Sequence, residues 1–374
     1  MILYLTYNDQ PSGVYWSQVT DVVNHLNGLG SPRVRLVAFV SGRGFSQARR
    51  AIHEHMPSAW VFPMVPKMRF WKWNALMLAL VCLVFRPSGI MARGVFATWM
   101  AQRMRGLKLA RKVCFDGRGA YAAEWEEYRL IDDDALIAQF RPLEKAAVHA
   151  SDFRLAVSDA LVDHWKERYQ WTGDAFVVIP CALGTDHAIV ERPLGAARPY
   201  AQDDVVVVYS GSTAGWQSFE LLQRILIPLL EEQPRVKVLF LSKEDANNRA
   251  LQARFPGRVD VRWAKPQEVA GILAACDHGL LVREDTVTNQ VASPTKFAEY
   301  LAAGVPVIIS ARIGDFSGMV RHHQLGIVIG PNEVIPVLQR TDPAKAARSQ
   351  RFAKDHLTKV SFDAAYKRLL KALE

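Results

Sequence analysis

At 374 residues the chain is too long for one ordinary core and suits two domains. Half of the residues are apolar and 22% are charged, a globular composition that excludes a disordered or fibrous protein. Its net charge of +9 is unevenly placed, and its four cysteines (Cys82, Cys114, Cys181, Cys276) form no CxxC pair, which argues against a disulfide scaffold or zinc site and fits a reducing cytosol.

The opening MILYLTYNDQ lacks a charged lead followed by a long apolar stretch, so it reads as a first β-strand and not a signal peptide. Short apolar strands are predicted at 2–6, 34–40, 89–93, 112–116, 153–157 and 176–180. Helices are predicted between them at 15–27, 45–56, 95–105, 135–150 and 159–169. Strands this apolar are buried on both faces, which implies a parallel sheet covered by helices. The run ends at PCALGTDH (180–187), and 191–204 reads as a linker. The alternation restarts with strands at 205–210, 236–241, 258–263, 278–282, 305–310 and 326–330, followed by a helical tail from about Pro343 to Leu373. The expected boundaries are a first domain over 1–192, a linker over 193–204, a second domain over 205–350 and a C-terminal helix over 351–374. Ligands of such folds sit at the carboxyl ends of the strands, here in a cleft between two facing domains.

Between His55 and Phe115 there is no Asp or Glu, while Lys67, Arg69, Lys72, Arg86, Arg93, Arg103, Arg105, Lys108, Arg111 and Lys112 all fall there. Within this block Ala75 to Phe85 is an uninterrupted apolar run, too short to span a bilayer, which needs about 20 residues. Lys67, Arg69, Phe70, Trp71, Lys72 and Trp73 precede it, and Trp beside Lys and Arg is an interfacial pattern. The segment reads as a monotopic contact with an anionic membrane surface. The other reading is a buried core helix with a solvated basic lead-in, or a core centre of which only 67–73 touches lipid. Nucleic acid is not expected as a partner, because the cations sit beside an apolar run and are not interleaved with aromatics along a groove.

The unit HGLLVREDTVTNQVASPTKFAEYLAAGVPVIIS (278–310) holds the densest chemistry. A strand ends at Arg283, a loop rich in Thr, Asn and Ser follows, and a helix begins with Ser293 as N-cap and Pro294 at its first position. Gly304 fits the left-handed position that ends the helix. The N-terminus of that helix would draw a phosphate, with Lys296 and Arg283 adding charge and Glu299 placed for ribose hydroxyls. Spacing alone equally allows an ordinary strand–helix–strand unit whose Lys and Glu are solvated.

Pro294, Lys296, Glu299 to Ala302, Gly304, Pro306 and Val307 resemble the donor-site helix of retaining family-4-type glycosyltransferases, which have the two-Rossmann-domain (GT-B) fold. Gly13 in QPSGVYWSQV is similar to the family's glycine-containing first loop, 150–169 to a further strand and helix, and IPCAL to the turn before its linker. The resemblance implies an α/β protein of GT-B architecture whose C-terminal helix returns to the first domain. It implies transfer of a sugar from a UDP- or GDP-linked donor to a hydroxyl, with retention, no metal and no cofactor beyond the donor.

Two departures stand out. The family's first glutamate, eight positions before Glu299, is Val291 here, leaving Asn289 or Ser293 to cover its role. The loop after the first strand of the second domain has no cation before Arg224, so Gly211, Ser212 and Thr213 are expected to offer N–H and hydroxyl groups, with Arg283 as the missing cation. In the first domain Asp116 and Arg118 stand near the place where the family often has a histidine contacting the donor sugar, and the resemblance implies that they take its catalytic part, as Arg283 and Lys296 do in the second. Glu124 and Glu127 either bind acceptor hydroxyls or, with Glu126, form the exposed start of a helix.

The acceptor is expected to be a lipid-linked saccharide, and the protein to be peripheral on the cytoplasmic face of the cell membrane. The rivals are a nucleotide-sugar epimerase of the same fold and a non-enzymatic nucleotide-sugar or anion-binding protein. Asp132–Asp134 resembles an Asp-x-Asp metal motif but precedes a helix, where acids cap and stabilise the first turn.

Overall fold

The computed structural model describes residues 1–129, 132–184, 200–211, 218–331 and 333–374. Two compact units emerge: one comprises Met1–Thr185, Val291–Ser293 and Lys359–Glu374, the other Asp186–Gln290 and Pro294–Thr358.

The first unit is built on strands β1 (Ile2–Tyr7), β2 (Val34–Val40), β3 (Trp60–Pro63), β4 (Gly89–Arg93), β5 (Lys112–Gly117), β6 (Phe153–Ala156) and β7 (Phe176–Val178). They form one parallel sheet in the order β3-β2-β1-β4-β5-β6-β7. All six residues of β1 are buried, as the apolar pattern predicts for a strand covered on both faces. The helix Asp363–Ala372 places Tyr366, Leu369 and Leu370 in the same core as Ile2, Leu36 and Val177, so the chain's last helix does return to the first sheet. Its close seat on β4 requires glycine: a Cβ on Gly89 would lie 2.7 Å from the Leu373 carbonyl oxygen.

The second unit carries β8 (Val205–Ser210), β9 (Val236–Leu241), β10 (Val259–Arg262), β11 (His278–Leu281), β12 (Val307–Ser310) and β13 (Gly326–Ile329). These are also parallel, in the order β10-β9-β8-β11-β12-β13. In both sheets the order reverses beside the first strand, at β1/β4 and β8/β11, the switch point where ligands of doubly wound folds bind.

The strands expected from sequence are all present, several of them shorter than expected. The one missed is β3, which is half-buried, four residues long and ends in Pro63, so it lacks the continuous apolar signal of a central strand. Capping differs at one place: Pro294, not Ser293, precedes the helix Thr295–Ala302, with no side-chain cap. The Ser293 hydroxyl instead accepts from the Cys181 N–H at 2.9 Å. Asp133 does cap the helix Asp134–Ala150, accepting from Leu136 N–H at 3.0 Å. Residues 191–199 of the expected linker lie outside the described residues.

Candidate functional site

In the second unit the site begins at the ends of β11, β12 and β13. Ser310, the last residue of β12, accepts from the Arg283 N–H at 2.9 Å and donates to the Arg283 carbonyl at 3.0 Å. That pair of hydrogen bonds fixes the backbone of Arg283 just beyond β11. The Arg283 guanidinium reaches Asn289 Oδ1 at 3.4 Å, and the buried Asn289 amide donates to the Glu284 carbonyl and the Thr286 hydroxyl at 3.0 and 3.2 Å. Arg283 and Asn289 are therefore brought together, with Asn289 as the inner prop of the loop.

A cavity of about 140 Å³ opens here, lined by Arg224, Arg283, Glu284, Asp285, Ser310 and Arg312 among others. Arg224 pairs with Glu284 at 3.1 Å and Arg312 with Asp285 at 3.3 Å. Three guanidiniums thus face two carboxylates, which leaves a net positive mouth. The sequence reading singled out neither Ser310 nor Arg312 as site residues. Their position directly after an apolar strand, at the sheet's carboxyl edge, is the signal that could have found them.

The β11–helix–β12 connection puts the start of Thr295–Ala302 at the same edge. Lys296 Nζ lies 2.6 Å from Glu299 Oε2, with both side chains about a quarter exposed. The two residues expected to serve phosphate and ribose are thus already partnered with each other, so a ligand there would have to part or share the pair. Tyr300 secures the helix from below. Its hydroxyl accepts from the Ser210 N–H at 2.8 Å, and a Cβ on Gly279 would come within 2.5 Å of its ring. Val291, at the place of the family's first glutamate, is buried and has no polar side chain; its carbonyl accepts from the Ser158 hydroxyl at 2.7 Å. Gly211 directly follows β8, and Ser212 and Thr213 lie outside the described residues.

The carboxyl edge of the first sheet is different. Asp116, at the end of β5, is fully buried. Its carboxylate accepts from Tyr4 Oη at 2.6 Å and meets Arg118 Nε at 2.7 Å and Arg93 Nη1 at 3.9 Å. Arg93 also faces Asp9 at 3.6 Å. Burial and the neighbouring Arg118 oppose the charge on Arg93, but the carboxylates of Asp9 and Asp116 outweigh them and raise its pKa. Burial likewise pushes the Asp9 carboxyl upward against the pull of Arg93. Arg118 reaches Gln18 at 3.5 Å, and Gln18 and Lys359 both donate to the Ala182 carbonyl, at 3.2 and 3.1 Å. Sequence reasoning found Asp116 and Arg118 but missed Tyr4, Asp9, Gln18 and Arg93.

Glu124 is half-buried, and burial followed by repulsion from Glu127 pushes its carboxyl up to about 7. Glu126 and Glu127 are exposed, and Glu126 pairs with Arg141 at 2.8 Å. The helix Tyr121–Tyr128 is held at its start by the buried Glu144, which accepts from the N–H groups of Tyr121 and Ala122 at 3.2 and 2.8 Å. Gly13, with φ +51, lies in an exposed turn after β1.

Of the basic-aromatic stretch, Lys67, Arg69, Phe70, Lys72 and Trp73 are exposed. Trp71 is buried instead, packed against Phe96 and Trp99 at 4.5 and 4.9 Å between ring centres. It supports that surface from beneath rather than forming part of it.

Two parallel-sheet Rossmann-like units of this topology define the GT-B fold. Residues 204–340 match the model of the family described as Glycosyl transferases group 1, a stretch that contains the 293–310 segment on which the resemblance was read. Among solved structures, sucrose-phosphate synthase from Thermosynechococcus elongatus superposes with a TM-score of 0.74 at 13% identity, covering 100% of this chain and 98% of that one. HepE of Anabaena, solved in complex with UDP and glucose, gives 0.68 at 16% identity over 99% of both chains. UDP-GlcNAc 2-epimerase from Neisseria meningitidis gives 0.54 at 11% identity, covering 99% of this chain and 94% of that one. No curated protein matches the chain by sequence.

Proposed function

We propose that the protein transfers a sugar from a nucleotide-diphosphate donor, UDP- or GDP-linked, to a hydroxyl of a lipid-linked saccharide, with retention of configuration. It would do so in the synthesis of a cell-surface polysaccharide or glycolipid, peripherally on the cytoplasmic face of the cell membrane. The observation that carries the reading is the Lys296–Glu299 pair in the first turns of a helix at the sheet's carboxyl edge, inside the stretch that matches the group 1 glycosyl transferases.

The second unit would bind the donor. Arg283 and Lys296 are the cations for its diphosphate and Glu299 the acceptor for ribose hydroxyls. In the reaction the bond between the anomeric carbon and the diphosphate oxygen breaks, and a bond from that carbon to the acceptor oxygen forms on the same face. The acceptor proton passes to a phosphate oxygen. No protein base is required, so the protein's part is to stabilise charge on the departing diphosphate and to hold the acceptor. The first unit would hold the acceptor, with Glu124 and Glu127 toward its hydroxyls.

Thermal-shift measurements with UDP, GDP, ADP and CMP test the donor site. A diphosphate should raise the melting point, and the double variant Lys296→Ala/Glu299→Ala should lose that rise. An unchanged shift in the double variant overturns the assignment. The epimerase reading retains the weaker structural likeness as its support. It predicts an isomerised donor without any acceptor, which chromatography of the reaction products would reveal.

A further inference from the structure

The geometry points to the helix Asn74–Phe85 as a docking surface for an anionic lipid bilayer, lying along the interface with its outer face among the acyl chains. The helix is apolar all round, yet only half of it is covered. Leu78, Val81 and Cys82 are buried toward the unit, whereas Trp73, Leu76, Leu80, Leu83 and Val84 are between 55% and 73% exposed. Their spacing places them on one stripe of the helix. A stripe of large apolar side chains facing water is uncommon in a monomeric soluble protein and marks a surface with a partner.

The surface is built and fixed. Asn74 is buried at the helix start, where its Oδ1 accepts from the Val65 N–H at 2.9 Å and its amide donates to the Trp71 carbonyl at 2.7 Å. This pins the helix to the preceding turn Met68–Trp73. Arg69 and Lys72 are exposed on that turn and Arg86 at the far end, while Arg103 lies over the ring of Trp99, 4.7 Å from its centre. No Asp or Glu falls between His55 and Phe115, so the helix, its lead-in turn and the helix Gly94–Gly106 packed against it contribute cations and no acids.

Charge complementarity selects the occupant. An apolar stripe bordered by Trp, Lys and Arg alone matches acyl chains beneath anionic headgroups. A protein partner or a second copy of this chain would have to meet a rim of one sign. Packing decides the mode. The continuous helical stretch Met68–Phe85 has the length and apolar content of a short span, but Trp71, Asn74, Leu78, Val81 and Cys82 along it are buried in the unit, so the helix lies on the membrane and does not cross it. The docking rests on these residues and not on the glycosyl-transfer reading, to which it adds that the acceptor would be met at a lipid surface.

The test is flotation of the full chain with vesicles of phosphatidylcholine alone and of phosphatidylcholine with phosphatidylglycerol. The expected result is binding to the anionic vesicles, weakened by salt. The variant Leu76→Asp/Leu80→Asp/Leu83→Asp should lower the partition coefficient on the order of a hundredfold, with its melting point and nucleotide thermal shift retained. Arg69→Glu/Lys72→Glu should abolish the preference for anionic vesicles, and it keeps the test decisive should the triple variant fail to fold. Wild-type protein that ignores both vesicle types overturns the proposal, as does a triple variant that floats undiminished. Light scattering that finds a wild-type dimer, split by the triple variant with no flotation of either, gives the face to a second copy and overturns it as well. The nucleotide thermal shift is read separately, so failure of the lipid result leaves the donor-site result standing, and the reverse.

Discussion

At the carboxyl edge of the first sheet, Asp116 is shut away from solvent between Tyr4 and Arg118. At the same edge of the second sheet, Glu284 and Asp285 meet Arg224 and Arg312 with every one of the four side chains at least 40% exposed. Both clusters lie at the carboxyl ends of strands beside a switch point, Asp116 on β5 next to β4, and Glu284 and Asp285 just beyond β11. In the first, the charges have exchanged water for one another, so removing one strands the rest in a dry interior. In the second, pairs exchange with water at little cost and can open for an anion. Buried, closed charge fixes a framework, whereas half-exposed charge is available to a ligand.

The largest effect should come from breaking the closed cluster. Asp116→Asn leaves Arg93 and Arg118 without their shared carboxylate and should cost roughly 3–5 kcal/mol of stability in urea unfolding. A loss under about 1 kcal/mol would mean that the cluster is open to water after all. The open edge should behave the other way round. Lys296→Ala/Glu299→Ala should cut transfer by roughly a hundredfold or more while shifting stability by under about 1 kcal/mol, as read by turnover and urea unfolding on one preparation.

The third test uses pH on a buried acid outside both edges. Glu144 is fully buried, and burial, opposed by the N–H groups of Ala122 and Tyr121 and by Tyr169, lifts its carboxyl from 4.5 to about 7. Between those values the folded state holds a proton that the unfolded chain has lost, so stability falls as pH rises from 4.5 through 7. Glu144→Gln should flatten that fall in unfolding curves taken across the window, and an unchanged slope would remove Glu144 as its source. The smallest effect belongs to the pocket mouth. Glu284→Gln/Asp285→Asn frees Arg224 and Arg312 from their acids and should tighten binding of a nucleoside diphosphate by roughly threefold at low salt, measured by calorimetry.

The architecture was legible because parallel strands covered on both faces announce themselves as continuous apolar runs, as VVVVYS and VPVIIS do. Strand β3 escaped because an edge strand ending in proline is only half-buried. The donor helix was legible because its chemistry is local, with Pro294, Lys296 and Glu299 lying within six residues. The cluster around Asp116 was only half legible, because Tyr4 is 112 positions away and nothing in a run of six buried strand residues marks it as the donor to that carboxylate. Ser293 was misjudged for a similar reason. A serine before Pro looks like a cap, but its partner, Cys181, is supplied by a distant turn.

The seat of Leu373 against Gly89 bears on how the protein is made. The first unit takes its last helix from residues that follow the whole second unit in the chain. The domain begun first is therefore finished last. Until those residues are made, the face of its sheet that receives Tyr366, Leu369 and Leu370 lacks that cover. A first domain without that helix exposes apolar surface of the kind that makes incomplete chains prone to aggregate.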